Sequence, residues 1–266
     1  MTPTSATWMT AITSGSVLGG RVWRTVSAEG WWSRMDELVV VACHAIFHDS
    51  TEYASWDDRN WTLSDFQVDE GGEFEAQARC GVELAAASSN RLLVFSGGRT
   101  RQSPNYASEA ASYRLLAERQ GWWGCPEVAN RCVEEEYARD SFENLLYGIC
   151  RYREVVGSYP QVVRLVSWGF KMARFEMHRE ALRWPAERFR FHGVGNPHDL
   201  TAAEVGELAA LADFSVDPYG FGIPLSDKRL ARNRVDHRLS YSMSNPELAA
   251  LLRHRGPAPF AGPLPW

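Results

Sequence analysis

The chain has 266 residues, 45% of them hydrophobic, and a formal net charge of -5 spread along its length rather than gathered in blocks. That is enough apolar material for one sizeable core, and with no basic stripe to neutralise phosphates it argues against a nucleic-acid-binding protein. Five scattered cysteines, an odd number, argue against a disulfide framework, and no apolar run approaches the roughly 20 residues that span a bilayer.

Residues 1–36 read as an N-terminal extension. The first 28 are rich in Ser and Thr and carry Arg21 and Arg24 but no acid, so an organellar transit peptide is the alternative to a cytoplasmic chain with a packed arm. Residues 38–43 (LVVVAC) form a valine-dominated run, the pattern of a strand buried on both faces in a parallel sheet. Residues 44–67 follow without a clear period, long for a structureless connection, and are expected to act as a lid. Phe74, Ala78, Val82 and Ala85 recur at helical spacing, predicting a helix over 70–88.

Next comes the stretch on which most of the chemistry turns. Residues 92–95 are strand formers, Ser96, Gly97 and Gly98 break the run, Arg99 and Arg101 occupy the loop, and Ser108 is an N-cap opening an alanine-rich helix at Glu109. A short strand near 131–134 leads to a helix capped by Asp140 and stopped by Gly157. Residues 162–166 predict a strand, Ser167 turns into a helix over 170–183, and Phe189, Phe191 and Val194 alternate as a last strand. Strands alternating with helices imply a parallel sheet with helices on both faces. Beyond 199 the pattern loosens into a C-terminal extension, expected to wrap the core or to make a homodimer contact.

In an open parallel sheet the ligand crevice lies at the carboxyl ends of the strands. Those ends carry Cys43 and His44, then Ser96 with the glycines, then Glu135 with Asp140 and Ser141, then Ser167. Gly97 and Gly98 are expected to offer backbone N–H donors to an anion, with Arg101 and the Ser108-capped helix beside them. Farther on, Lys171, Arg174 and His178 fall within about 60° of one another on a helix. Lys171 in a first helical turn conflicts with the dipole unless an anion, or a carboxylate such as Glu109 or Glu135, offsets it. For each group the ordinary alternative is a core cysteine, a hydrogen-bonded histidine or a solvated charge. No complete catalytic motif and no metal-ligand spacing is present.

Together, SGG at 96–98, SEA at 108–110, Glu135 followed by DSFEN at 140–144, and SWGFKMAR at 167–174 resemble the YdcF-like family, the domain of unknown function shared with the bacterial envelope proteins SanA and ElyC. The similarity covers about residues 37–195, within an expected domain of 37–198, and the soluble fungal branch is the most similar. The resemblance implies a Rossmann-like three-layer α/β sandwich with a mostly parallel central sheet. It implies S-adenosylmethionine as the candidate cofactor and pocket roles for Gly97, Gly98, Glu109, Glu135, Ser141, Asn144, Ser167 and Arg174. Bacterial members usually have Thr where this chain has Ser141 and Ser167, Asn for Asp140, His for Lys171, and a glycine turn in place of Cys43 and His44.

The combined expectation is a soluble enzyme, a transferase or hydrolase, acting on an anionic or nucleoside-containing small molecule, with no metal. His44, Glu109 and Lys171 would do chemistry, and Cys43, Ser96, Gly97, Gly98, Arg101, Ser108, Glu135, Asp140, Ser141, Asn144, Ser167, Arg174 and His178 would bind. The alternatives are a non-catalytic S-adenosylmethionine or nucleotide sensor, and a hydrolase using Cys43 and His44.

Overall fold

The computed structural model describes residues 32–102, 107–232 and 238–266. The serine-rich first 28 residues, and with them the targeting question, lie outside these, as do the last residues of the charged stretch after 227.

The apolar runs become the strands of one sheet. β1 (Glu37–Ala42), β4 (Arg91–Ser96), β5 (Cys132–Glu135), β6 (Val162–Ser167) and β7 (Phe189–Gly193) pair in the order β5-β4-β1-β6-β7, every pair parallel. Alternate residues of β1 feed different cores. Val39 and Val41 pack with Phe74, Ala78, Val82 and Ala85 of α1 (Gly71–Ala86) and with Tyr113 and Leu116 of α2 (Glu109–Arg119). Leu38 and Val40 pack on the other face with Phe142, Leu145 and Ile149 of α3 (Ser141–Val156) and Phe175 of α4 (Met172–Ala181). The chain is therefore a three-layer, Rossmann-like α/β sandwich. No helix among the described residues is long and apolar enough to cross a membrane.

Local signals set the helix ends. Asp140 is extended and its carboxylate accepts from the Glu143 N–H, while Gly157 closes α3 at φ 87°, a left-handed conformation that glycine adopts without a Cβ penalty. Ser108 caps α2 through the Ala111 N–H.

One departure from the sequence reading matters for the site. The 44–67 connection is not a free lid. It folds into a hairpin, β2 (Ile46–Phe47) against β3 (Trp61–Thr62), and the buried Asn60 amide donates to the carbonyls of Ser50, Tyr53 and Ala54. Two-residue strands are too short to show a period. The C-terminal extension, α5 (Leu200–Val216), α6 (Leu225–Arg232), α7 (Arg238–Ser244) and α8 (Ala249–Arg253), buries Phe214, Leu225, Tyr241 and Leu251 in the same core as α3.

Candidate functional site

The chain runs outward from β1 to β4 and β5, then returns across β1 to β6 and β7, so the strand order reverses between β1 and β6. Open α/β sheets bind ligands at such a switch point, outside the carboxyl ends of the strands. Here that position is a cavity of about 780 Å³, within the range of small-molecule sites. Its walls include Cys43 and His44 after β1, Arg101 and Glu109 around the β4 turn, Asp140, Ser141 and Asn144 at the head of α3, and Lys171 and Arg174 after β6. All nine belong to the set expected from the sequence.

The other seven are not cavity-lining. Ser96 is fully buried and donates to Glu135 Oε2 at 2.7 Å and to Asn144 Oδ1 at 3.0 Å. Glu135 is spent on structure, accepting also from the N–H groups of Tyr137 and Ala138 and from the Tyr241 hydroxyl of α7. Burial still pushes its pKa up to about 7, against these four donors.

The glycine cradle is a correction. The Gly97 N–H donates to the Glu135 carbonyl at 2.9 Å and that of Gly98 to the Ala138 carbonyl at 2.8 Å, so neither is left for a ligand. Their carbonyls in turn accept from the Ala110 and Glu109 N–H groups, which closes the N-terminus of α2. A Cβ on Gly98 would stand 2.8 Å from the Ala138 oxygen, so glycine serves close backbone packing there. Ser108 joins this closure by donating to Glu136 Oε1.

Ser167 is buried and lies 3.3 Å from His44 Nε2, orienting that ring from behind. His178 is wholly buried with Phe142, Phe175 and Phe214 around its ring, and its Nε2 meets Ser141 Oγ at 2.8 Å. This pair has the separation of a nucleophile and its base. Burial, however, drives the His178 pKa down to about 3, and Nδ1 has no partner that would stabilise an imidazolium. His178 therefore positions Ser141 and does not activate it.

Cys43 fails in the same way. Its Sγ points to the Val41 carbonyl, and burial followed by the charge of Glu109 raises the thiol pKa well above its usual value. The His44 ring stacks on Trp168 at 6.0 Å, and burial with Lys171 and Arg174 nearby holds it neutral. The two neighbours aim at different partners.

What the cavity does hold is charge. Arg101 donates to the carbonyls of Thr62 and His44, fastening the two ends of the β2–β3 hairpin to the site. Lys171 ends a 3-10 turn (Gly169–Lys171) at the N-cap of α4, where the dipole opposes its charge. It pairs with neither Glu109 nor Glu135. Arg174 instead takes the nearby carboxylate, Glu207 of α5, at 2.7 Å. Glu109 accepts from the Thr100 hydroxyl, and burial raises its pKa despite that bond and the cations.

Glu70, Arg139, Glu207 and Arg232 also line the cavity. Sequence patterning missed them because charges near helix starts, within an alanine-rich helix and in a charged C-terminal run look like solvated surface. Burial pushes the Glu70 carboxyl up to about 7. Burial, then Arg174, brings Lys171 down to about 7.

The Lys171 shift has a measurable sign. Between pH 7 and 10 the unfolded chain holds a proton on Lys171 that the folded chain lacks, so this group makes stability rise with pH across that window. Denaturant unfolding of wild type and Lys171→Met at pH 7 and pH 10 should show a smaller rise for the variant. Equal rises would mean that the amine is solvated.

Fold and site thus define a doubly wound α/β protein with a cavity lined by charged residues at its switch point. The chain is similar to the uncharacterized protein YOR238W of Saccharomyces cerevisiae, 25% identical over 265 residues, with 78% of this chain and 87% of the yeast protein covered. No protein-family model and no solved structure matches it.

Proposed function

We propose that this is a YdcF-like protein that binds a small anionic metabolite, carrying phosphate or carboxylate, in the switch-point cavity and acts on it as an enzyme. One observation carries the reading. Arg101, Lys171 and Arg232 all line one cavity, and none of them forms an ion pair with a carboxylate among the described residues. Arg232 is exposed, but Arg101 and Lys171 are partly buried, and leaving these two in a partly desolvated space is unfavourable unless an anion enters. The amide nitrogen of Asn144, whose oxygen is held by Ser96, is a further donor on the wall. Support for catalysis beyond binding comes from Glu70 and Lys171, which both line the cavity and which burial shifts toward neutrality, the carboxyl up to about 7 and the ammonium down to about 7.

S-adenosylmethionine belongs to the candidate class through its carboxylate and its nucleoside, for which Trp168 and Phe170 provide aromatic wall. Its sulfonium gains nothing from Arg101 and Lys171, the cations without an ion pair, so phosphate- and carboxylate-bearing ligands rank first. Thermal unfolding with inorganic phosphate, adenosine nucleotides, dicarboxylates and S-adenosylmethionine tests this. A ligand at about 100 times its Kd should add roughly 2.7 kcal/mol. Stabilisation by anions is expected; stabilisation by S-adenosylmethionine alone would favour the sensor or transferase of the bacterial kind, and none by any of them would remove the reading.

A further inference from the structure

We propose that Lys171 is a catalytic nucleophile that captures an oxo acid, a small carbonyl compound bearing a carboxylate, as an imine within the cavity. The proposal rests on the anion-binding reading and names its substrate class.

The chain has 26 arginines and only two lysines. Where charge alone is needed in this cavity it has arginine, at 101, 174 and 232. A guanidinium stays protonated and is no nucleophile, whereas an amine that loses its proton attacks carbonyl carbon. The other lysine, Lys228, is an ordinary surface residue, exposed and paired with Asp213 at 3.0 Å. Lys171 differs from it in every respect that bears on reactivity. It lines the cavity at the switch point, has no ion pair among the described residues, and its Nζ lies 5.6 Å from the Phe170 ring centroid. The neighbouring Arg174 charge is the kind that activates imine-forming lysines. In support, burial and Arg174 lower the ammonium pKa to about 7, leaving much of the amine as free base at neutral pH.

The step balances within the site. The amine lone pair bonds to the carbonyl carbon and the C=O π pair moves to oxygen, giving a carbinolamine. One proton passing from nitrogen to that oxygen completes the carbinolamine; a second, given to the hydroxyl by a carboxylic acid and returned to that acid from the nitrogen, releases water and leaves C=N. Glu70 and Glu109, carboxyls whose pKa values burial raises, are the carriers for that proton. The carboxylate of the oxo acid sits against Arg101 and Arg232.

The test is incubation of the full chain with pyruvate or glyoxylate and sodium cyanoborohydride at neutral pH, followed by peptide mass spectrometry. One reduced adduct per chain is expected on Lys171, exceeding that on Lys228 by more than about tenfold, the least that a shift of several pKa units implies. Lys171→Arg keeps the charge and should abolish the adduct while retaining stabilisation by the same acids. Equal labelling of Lys171, Lys228 and the terminal amine would overturn the proposal. Stabilisation by pyruvate without an adduct would overturn imine formation and leave anion binding standing, whereas neither adduct nor stabilisation by any anion would take down both.

Discussion

Arg229→Ala is expected to destabilise the protein by about 3–5 kcal/mol, the cost of breaking a buried charge pair from one side. Arg229 reaches from α6 to the head of α3, where its Nε lies 2.5 Å from Asp140 Oδ2 and 3.5 Å from Glu143 Oε1. Its Nη1 donates to the carbonyls of Tyr219 and Gly220. Glu143 is wholly buried and also takes Arg139 at 2.6 Å and Arg238 at 3.2 Å. Burial alone would raise the Asp140 pKa, yet Arg229, by charge and hydrogen bond, holds it well below the usual carboxylate range.

Removing the guanidinium therefore strands a buried carboxylate next to the cavity. Denaturant unfolding should show the loss, with a fall in Tm on the order of 10 °C. The double variant Arg229→Met with Asp140→Asn, which keeps the helix cap, should recover most of it, since the coupling between the two groups carries the cost. A loss below about 1 kcal/mol would place this pair in solvent, where such pairs contribute little.

Arg101→Ala should weaken anion binding by about tenfold to a hundredfold, the equivalent of one charge-assisted contact of roughly 1.5–3 kcal/mol. Two effects add. The substitution removes a cation without an ion pair from the wall, and it releases the hairpin ends whose carbonyls, Thr62 and His44, the guanidinium holds. Arg101→Lys restores the charge but not the two-carbonyl fork, so it should recover binding only in part. Arg99, exposed on the same loop, is the control, and its replacement by alanine should leave binding unchanged.

The architecture was legible because its signals are local. The valine run of β1, the 3.6-residue spacing of Phe74, Ala78 and Val82, and the Asp140 and Gly157 caps each depend on a few adjacent residues. The site was legible in part, since strand ends converge whenever the sheet is parallel, and Lys171, Arg174 and Glu109 meet for that reason. What the sequence hid are long-range pairings. Whether the Gly97 and Gly98 N–H groups are free depends on carbonyls of Glu135 and Ala138, nearly 40 residues away. Arg174 and His178 do lie on α4, but Lys171 sits in the 3-10 turn before it, and α3 and α5 pack on that edge and enclose His178. Arg229 and Arg238 belong to a stretch whose composition is that of a solvated helix, and only tertiary packing brings them onto the buried carboxylates of Asp140 and Glu143.

The most direct measurement of the central claim is calorimetric titration of the full chain with phosphate-bearing and carboxylate-bearing ligands, repeated on Arg101→Ala and Lys171→Ala. Binding at one site per chain that weakens in both variants, while each remains folded, is the predicted result. Anion affinity unchanged by both substitutions would contradict it and move the ligand away from the switch point.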